Sequence, residues 1–209
     1  MSIDNTDNTD NTDNTDNTDN TDNTDNIDIT DSADNDKINR NKKDSNKIDN
    51  NKIIIRHAAE ADIALVLQLI KEHSVYQKAE EEVIATEELL SEWIIDKKIA
   101  EVLLEEYDGR TVGYVLFFYN FSTFLGKPGI FMEDIFVRSE DRGKGFGKAL
   151  IVKLAYIAIE RKCGRLDWAC GNWNTPSIEF YMAMGATKLS HKTLYRVEGN
   201  SLISLSKHD

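Results

Sequence analysis

Arg142, Gly143, Lys144, Gly145, Phe146, Gly147 and Lys148 interleave three glycines with three cations. Glycines let successive backbone N–H groups turn toward one point, and a helix starting there adds the positive end of its dipole. The chemistry on offer is anion binding, phosphate above all. Two well-known phosphate loops do not fit. A Walker A loop needs Gly at 142 and a hydroxyl at 149, where the chain has Arg and Ala; a dinucleotide fingerprint needs Gly at 148, which is Lys. Just upstream, Glu133 and Asp134 stand side by side in an apolar run. Neighbours on a regular strand face opposite sides, so at least one carboxylate is expected to point inward. Cys163 and Cys170 form no C-x-x-C pair and lie near no His at ligand spacing, so no metal site is expected and two reduced thiols are. His57, His73, His191 and His208 show no paired spacing and receive no chemistry.

The elements that must position these residues are legible in the pattern. Lys52 to Arg56 is a β-branched run that reads as a strand. Ile63, Val66, Leu67, Leu69 and Ile70 recur at helical spacing behind Glu60 and Asp62, and a second helix is predicted over 86–96. Strands follow over 100–107 and 111–122, joined at Asp108-Gly109, a hairpin signal because both residues accept positive φ. A third strand is predicted over 129–137 and an apolar helix over 148–161. The glycine loop thus lies between a strand and a helix N-terminus. After it, Thr175 is expected as an N-cap and Pro176 as a first helical residue. The aromatics Phe117, Phe118, Tyr119, Phe121 and Phe124 are expected to form sheet core and an active-site rim.

Arg142, Gly145 and Gly147 fit the spacing Arg-x-x-Gly-x-Gly/Ala. With Asn174-Thr175-Pro176-Ser177 leading to Tyr181 and then Gly185-Ala186, this resembles the GNAT superfamily of N-acyltransferases. Leu125-Gly126-Lys127 followed by Met132-Glu133-Asp134-Ile135-Phe136-Val137, together with Ile70-Lys71-Glu72 and Tyr76, is similar to its diamine (spermidine/spermine) and thialysine N-acetyltransferases. The resemblance implies an α/β GNAT fold: a mixed, mostly antiparallel central sheet flanked by helices and ending in strands. It implies acetyl-CoA as co-substrate, with residues 142–148 on the pyrophosphate, Ile135, Phe136 and Val137 offering main-chain bonds to the pantetheine arm, and Asn174 and Ser177 helping to hold that arm. Glu133 and Asp134 would lie beside the acceptor amine, joined on the substrate side by Tyr76, Gln77 and Trp168. An alkylammonium has a pKa near 10 and must lose a proton before it attacks a thioester, so Glu133 is the first candidate base. Tyr181 would return a proton to the departing thiolate. Gln77 stands where polyamine-specific members have Glu, and 189–193 carries no acid where they have one. Those departures put a diamine, thialysine or a lysine-like amine on an equal footing with spermidine.

The 209-residue chain carries a net charge of −12, and residues 1–50, with 14 Asp and 5 Lys/Arg, account for −9 of it. Seven Asp-Asn-Thr copies fill residues 4–24. A polar triplet cannot bury surface to offset chain entropy, so 1–51 is expected to be a disordered low-complexity tail before one domain over 52–209. That domain, near neutrality with scattered bases, lacks the cationic footprint of nucleic-acid binding. No apolar run reaches the roughly 18 residues of a membrane span, and no secretory signal is present. A cytoplasmic enzyme is expected, a homodimer by resemblance. The alternatives are a protein or peptide N-acetyltransferase and a non-catalytic CoA-binding regulator.

Overall fold

The computed structural model describes residues 48–49 and 52–207. The reading of 1–51 as a disordered tail lies, apart from Ile48 and Asp49, outside the described residues. Strands β1 (Ile53–His57), β2 (Glu101–Tyr107), β3 (Arg110–Ser122) and β4 (Lys127–Val137) pair antiparallel in sequence order, and β5 (Leu166–Trp168) lies parallel to β4. The sheet is therefore mixed and mostly antiparallel, as expected. Asp108 (φ 52°) and Gly109 (φ 77°) turn β2 into β3 with two positive-φ residues, the geometry that matches strand twist.

Helices cover both faces. Val66 and Leu69 of α1 (Ile63–Gln77) pack on Leu104, Tyr114 and Phe136, while Leu150, Ile151, Leu154 and Ile157 of α3 (Phe146–Glu160) pack on Leu103, Val115, Phe117 and Met132. Entry into α1 is fixed by Asp62, whose carboxylate takes two bonds from Arg56 (2.7 and 2.9 Å) and one from the Ala59 N–H (2.8 Å). The helix predicted over 86–96 is α2 (Glu87–Leu90), capped by the Thr86 hydroxyl on Leu89 N–H, running on as a wider π-helical turn, Ser91–Asp96.

The strands predicted after the last helix are absent from the described residues. Residues 187–198 form no ladder, a short helix α5 (Gly199–Leu205) follows, and every residue from 187 to 207 is exposed. A strand needs a neighbour for its N–H and C=O groups, and among the described residues that segment has none. Of the five aromatics expected at core and rim, Phe117 is core, Phe118 packs on Phe131, and Tyr119, Phe121 and Phe124 face solvent. The β3–β4 hairpin carries them away from the candidate site.

Candidate active site

Two irregularities of β4 create the site. Phe117 on β3 pairs with Met132 and the next residue back, Leu116, pairs with Asp134, leaving Glu133 as an unpaired extra residue. This β-bulge bends and twists the strand locally. Met132 accordingly packs toward α3 while Phe136 packs toward α1, although a regular strand would give them one face. The second irregularity is that β5 pairs with β4 only over Ile130, Phe131 and Met132. From Glu133 onward β4 has no strand on that side, and the gap between β4 and β5 is open.

A cavity of about 120 Å³ fills the gap beside the bulge. Tyr76, Gln77, Glu133, Asp134, Ile135, Asn174, Ser177 and Tyr181, eight residues singled out from the sequence, line it together. At least one carboxylate is expected to point inward; because of the bulge both do, and Glu133 and Asp134 reach the same cavity. Burial, and for Glu133 the neighbouring Asp134, pushes both carboxyls above their ordinary range; Arg196 opposes this at Glu133 and the Tyr114 hydroxyl opposes it at Asp134. Burial likewise pushes the Tyr181 phenol up to about 12, so it keeps its proton at neutral pH.

Tyr181 sits on α4 (Thr175–Ala183), whose N-cap is Asn174 rather than the expected Thr175. The Asn174 Oδ1 accepts from Ser177 N–H (3.3 Å) and from the Tyr76 hydroxyl (3.0 Å), tying the end of α1 to the start of α4. Trp168 does not line the cavity. Its indole packs on the Tyr181 ring, centroids 5.1 Å apart, and so backs the phenol. Six further lining residues were not singled out as site residues: His73, Met132, Ala169, Cys170, Gly171 and Trp173. His73, Tyr76 and Gln77 stand at i, i+3 and i+4 on α1, a shared helix face that could have drawn His73 in.

The glycine loop lies where β4 passes into α3. Gly143 (φ 73°) and Gly145 (φ 98°) take the left-handed region, and Gly145 directly precedes the first turn of α3. A Cβ at either would meet nothing within 4 Å, so the loop presents bare backbone to open space. Asp141, buried beneath, pairs with Arg110 (2.7 Å) and Lys144 (3.0 Å). Burial would raise its carboxyl, yet these two cations hold it below its ordinary value and the loop in place. Arg142 donates Nε–H to the Val137 carbonyl (2.9 Å), with its guanidinium 4.2 Å from the Tyr76 ring centroid. Phe136, Val137 and residues 142–148 thus border the site without lining the cavity itself; Phe136 and Phe146 are buried, their side chains given to the core.

An open β4 edge, a glycine loop at a helix start and a phenol on the next helix define a class of acyl-transfer fold, and comparison with known proteins agrees. Residues 66–186 match the acetyltransferase (GNAT) family, to which the chain belongs. It is 32% identical to the thialysine N-epsilon-acetyltransferase of Bos taurus over 166 residues, 74% of this chain and 97% of that one. An L-ornithine N5-acetyltransferase of Arabidopsis thaliana is 42% identical over 100 residues, 48% of this chain and 44% of that one. Among solved structures, an integron cassette protein from V. cholerae matches with a TM-score of 0.65 at 27% identity, covering 75% of this chain and 99% of that one. Among the described residues no helix is long and apolar enough to cross a membrane.

Proposed function

We propose that the chain transfers an acetyl group from acetyl-CoA to the primary amine of a small diamine, polyamine or thialysine-like acceptor. The observation that carries this reading is the meeting of Glu133, Asp134 and Tyr181 on one cavity beside the unpaired edge of β4. Acetyl-CoA would lie along that edge, its pantetheine arm hydrogen-bonded to Ile135–Val137 as an added strand would be. Its pyrophosphate would rest on the N–H groups of 143–147. The ammonium would be drawn to Glu133 and Asp134, and Glu133, directly or through water, would take its proton. The freed nitrogen attacks the thioester carbonyl, whose developing negative charge falls near the β4 backbone N–H groups. Collapse of the tetrahedral intermediate breaks the C–S bond, the CoA thiolate takes the Tyr181 proton, and the second proton of the new amide nitrogen restores the phenol.

A cavity of about 120 Å³ has the room of some four water molecules, which suits the end of an alkylamine and favours a small acceptor over a folded peptide. The names of the thialysine and ornithine acetyltransferase relatives support the same class. No part of this mechanism calls for a metal. The reading extends to a cytoplasmic homodimer. Leu194, Tyr195 and Leu202 in the exposed C-terminal segment are apolar groups that a second copy would cover, and light scattering should give twice the chain mass.

The test is CoA release from acetyl-CoA with putrescine, spermidine, spermine, thialysine, ornithine, lysine and a short peptide. Tyr181→Phe should lower kcat by about 100-fold while leaving acetyl-CoA affinity unchanged, the signature of a group acting in the transition state. Turnover of the peptide alone would redirect the assignment, and unchanged kcat in the variant would remove Tyr181 from the chemistry.

A further inference from the structure

His73 is buried on α1, with three polar groups around its ring. Its Nδ1 lies 3.3 Å from the Tyr114 hydroxyl and 3.5 Å from Asp134 Oδ1, and its Nε2 lies 2.8 Å from Gln77 Nε2. Tyr114 in turn donates to Asp134 Oδ2 (3.4 Å). An amide nitrogen can only donate, so the His73 Nε2 accepts and a neutral ring carries its proton on Nδ1. Reversing the Gln77 amide would set a bare Nδ1 lone pair against the Asp134 carboxylate, and electrostatics rejects that arrangement. The chain of donors therefore runs one way: Gln77 to His73, His73 to Tyr114, and Tyr114 to Asp134, with the His73 ring edge 3.5 Å from the carboxylate.

We propose that His73 is a positioning residue, using Nδ1–H to hold the Tyr114 hydroxyl and, through it, Asp134 oriented and ionised at the wall of the cavity. The inference rests on the acetyltransferase reading above. Asp134 is withdrawn from water, which favours its neutral acid, and a neutral acid has no pull on an ammonium. The Tyr114 hydroxyl, held in turn by His73, opposes that shift and favours the anion. The His73 ring must itself be uncharged, because an imidazolium there would cancel the charge the substrate needs. Burial, with Arg142 nearby, depresses His73 to about 4, which keeps the ring neutral at working pH. The other titratable groups facing this cluster are Tyr76 on α1, Tyr114 on β3, Glu133 on β4, Arg142 in the loop, Cys170 after β5 and Tyr181 on α4. Within this set His73 is the neutral nitrogen donor that can reach the Tyr114 hydroxyl.

The experiment compares His73→Leu and His73→Asn with the unaltered full-length protein, using the best amine of the panel. Loosening the Tyr114 donor from the charged acceptor should move the acid limb of kcat/KM for the amine up by about one pH unit. On the acid side of that limb the efficiency toward the amine should fall by up to about tenfold, while the KM for acetyl-CoA stays put and the deficit closes at alkaline pH. Asn, whose Nδ2–H takes the place of Nδ1–H, should restore most of the profile. A role in packing alone would lower the melting temperature of both variants and leave the acid limb where it was, and that result overturns the proposal. Imidazole ¹⁵N shifts of the unaltered protein give a second reading that needs no variant to fold: protonated Nδ1 is expected, and protonated Nε2 overturns the proposal. If the unaltered protein acetylates no amine, the acetyltransferase reading fails, while the ¹⁵N spectrum still decides the state of His73.

Discussion

Glu105 on β2 and Asp134 on β4 are acids withdrawn from water on opposite faces of one sheet, and their surroundings could hardly differ more. Glu105 lies between Ile55 and Gly113 on the face covered by α3, fully buried, with no hydrogen-bond partner among the described residues for either carboxylate oxygen. Asp134 faces α1 and meets the Tyr114 hydroxyl, the His73 imidazole and an open cavity. Burial alone pushes Glu105 up to about 8, so at neutral pH it is mostly a neutral acid in the core. Burial is thus common to both, and the set of donors separates a carboxylate that can receive a cation from one that only weakens the fold.

The largest effect should come from the acid without partners. An unfolded chain holds Glu105 at its ordinary value of 4.5 and the folded chain at about 8, so stability falls as pH rises through that window and levels off above it. Glu105→Met should remove this loss and stabilise the domain by roughly 4 kcal/mol at pH 8 and far less at pH 5. Urea unfolding at the two pH values checks it, and equal gains at both would break the contrast. Asp134→Asn should act the other way round. Stability should change by less than about 1 kcal/mol, while kcat/KM for the amine falls about 100-fold. Steady-state kinetics beside a thermal melt separates the two quantities.

A smaller contrast lies within the glycine loop. Gly145→Ala forces a Cβ onto a φ of 98° and should weaken acetyl-CoA binding about tenfold. At Gly147 a Cβ would stand 3.7 Å from the Phe180 ring and 3.9 Å from Val137, ordinary contact distances. Gly147→Ala should therefore stay within about twofold of the original by calorimetric titration. The family spacing, which admits Gly or Ala at that place, is what this geometry leads one to expect.

Patterns local in the chain were readable before the fold was known. Asp108-Gly109 marked its turn, the apolar spacing of Leu150, Ile151 and Leu154 marked α3, and the loop of 142–148 was found between strand and helix. Glu133 and Asp134 were found as a pair, but the reason both reach one cavity was not, because a bulge is a property of two strands and leaves no mark on one. His73 is 41 residues from Tyr114 and 61 from Asp134, and no periodicity connects partners so far apart. The cap at Asn174 was misplaced by one residue because Asn and Thr are both good caps, and the Tyr76 hydroxyl that reaches Asn174 comes from 98 residues away. The predicted C-terminal strands have no neighbouring strand among the described residues.

The bulge at Glu133 also makes the site depend on how many residues β4 contains. Remove Glu133, and Met132 and Asp134 become adjacent, each already facing the side an unbroken ladder would give it. Such a strand would pair more regularly with β3 and lose the bend that turns it from β5. A survey of single substitutions weighs Glu133 by its carboxylate alone. A survey of single-residue deletions weighs its place in the count, and so reads a constraint that acts on reading-frame-preserving loss of one codon rather than on the choice of amino acid.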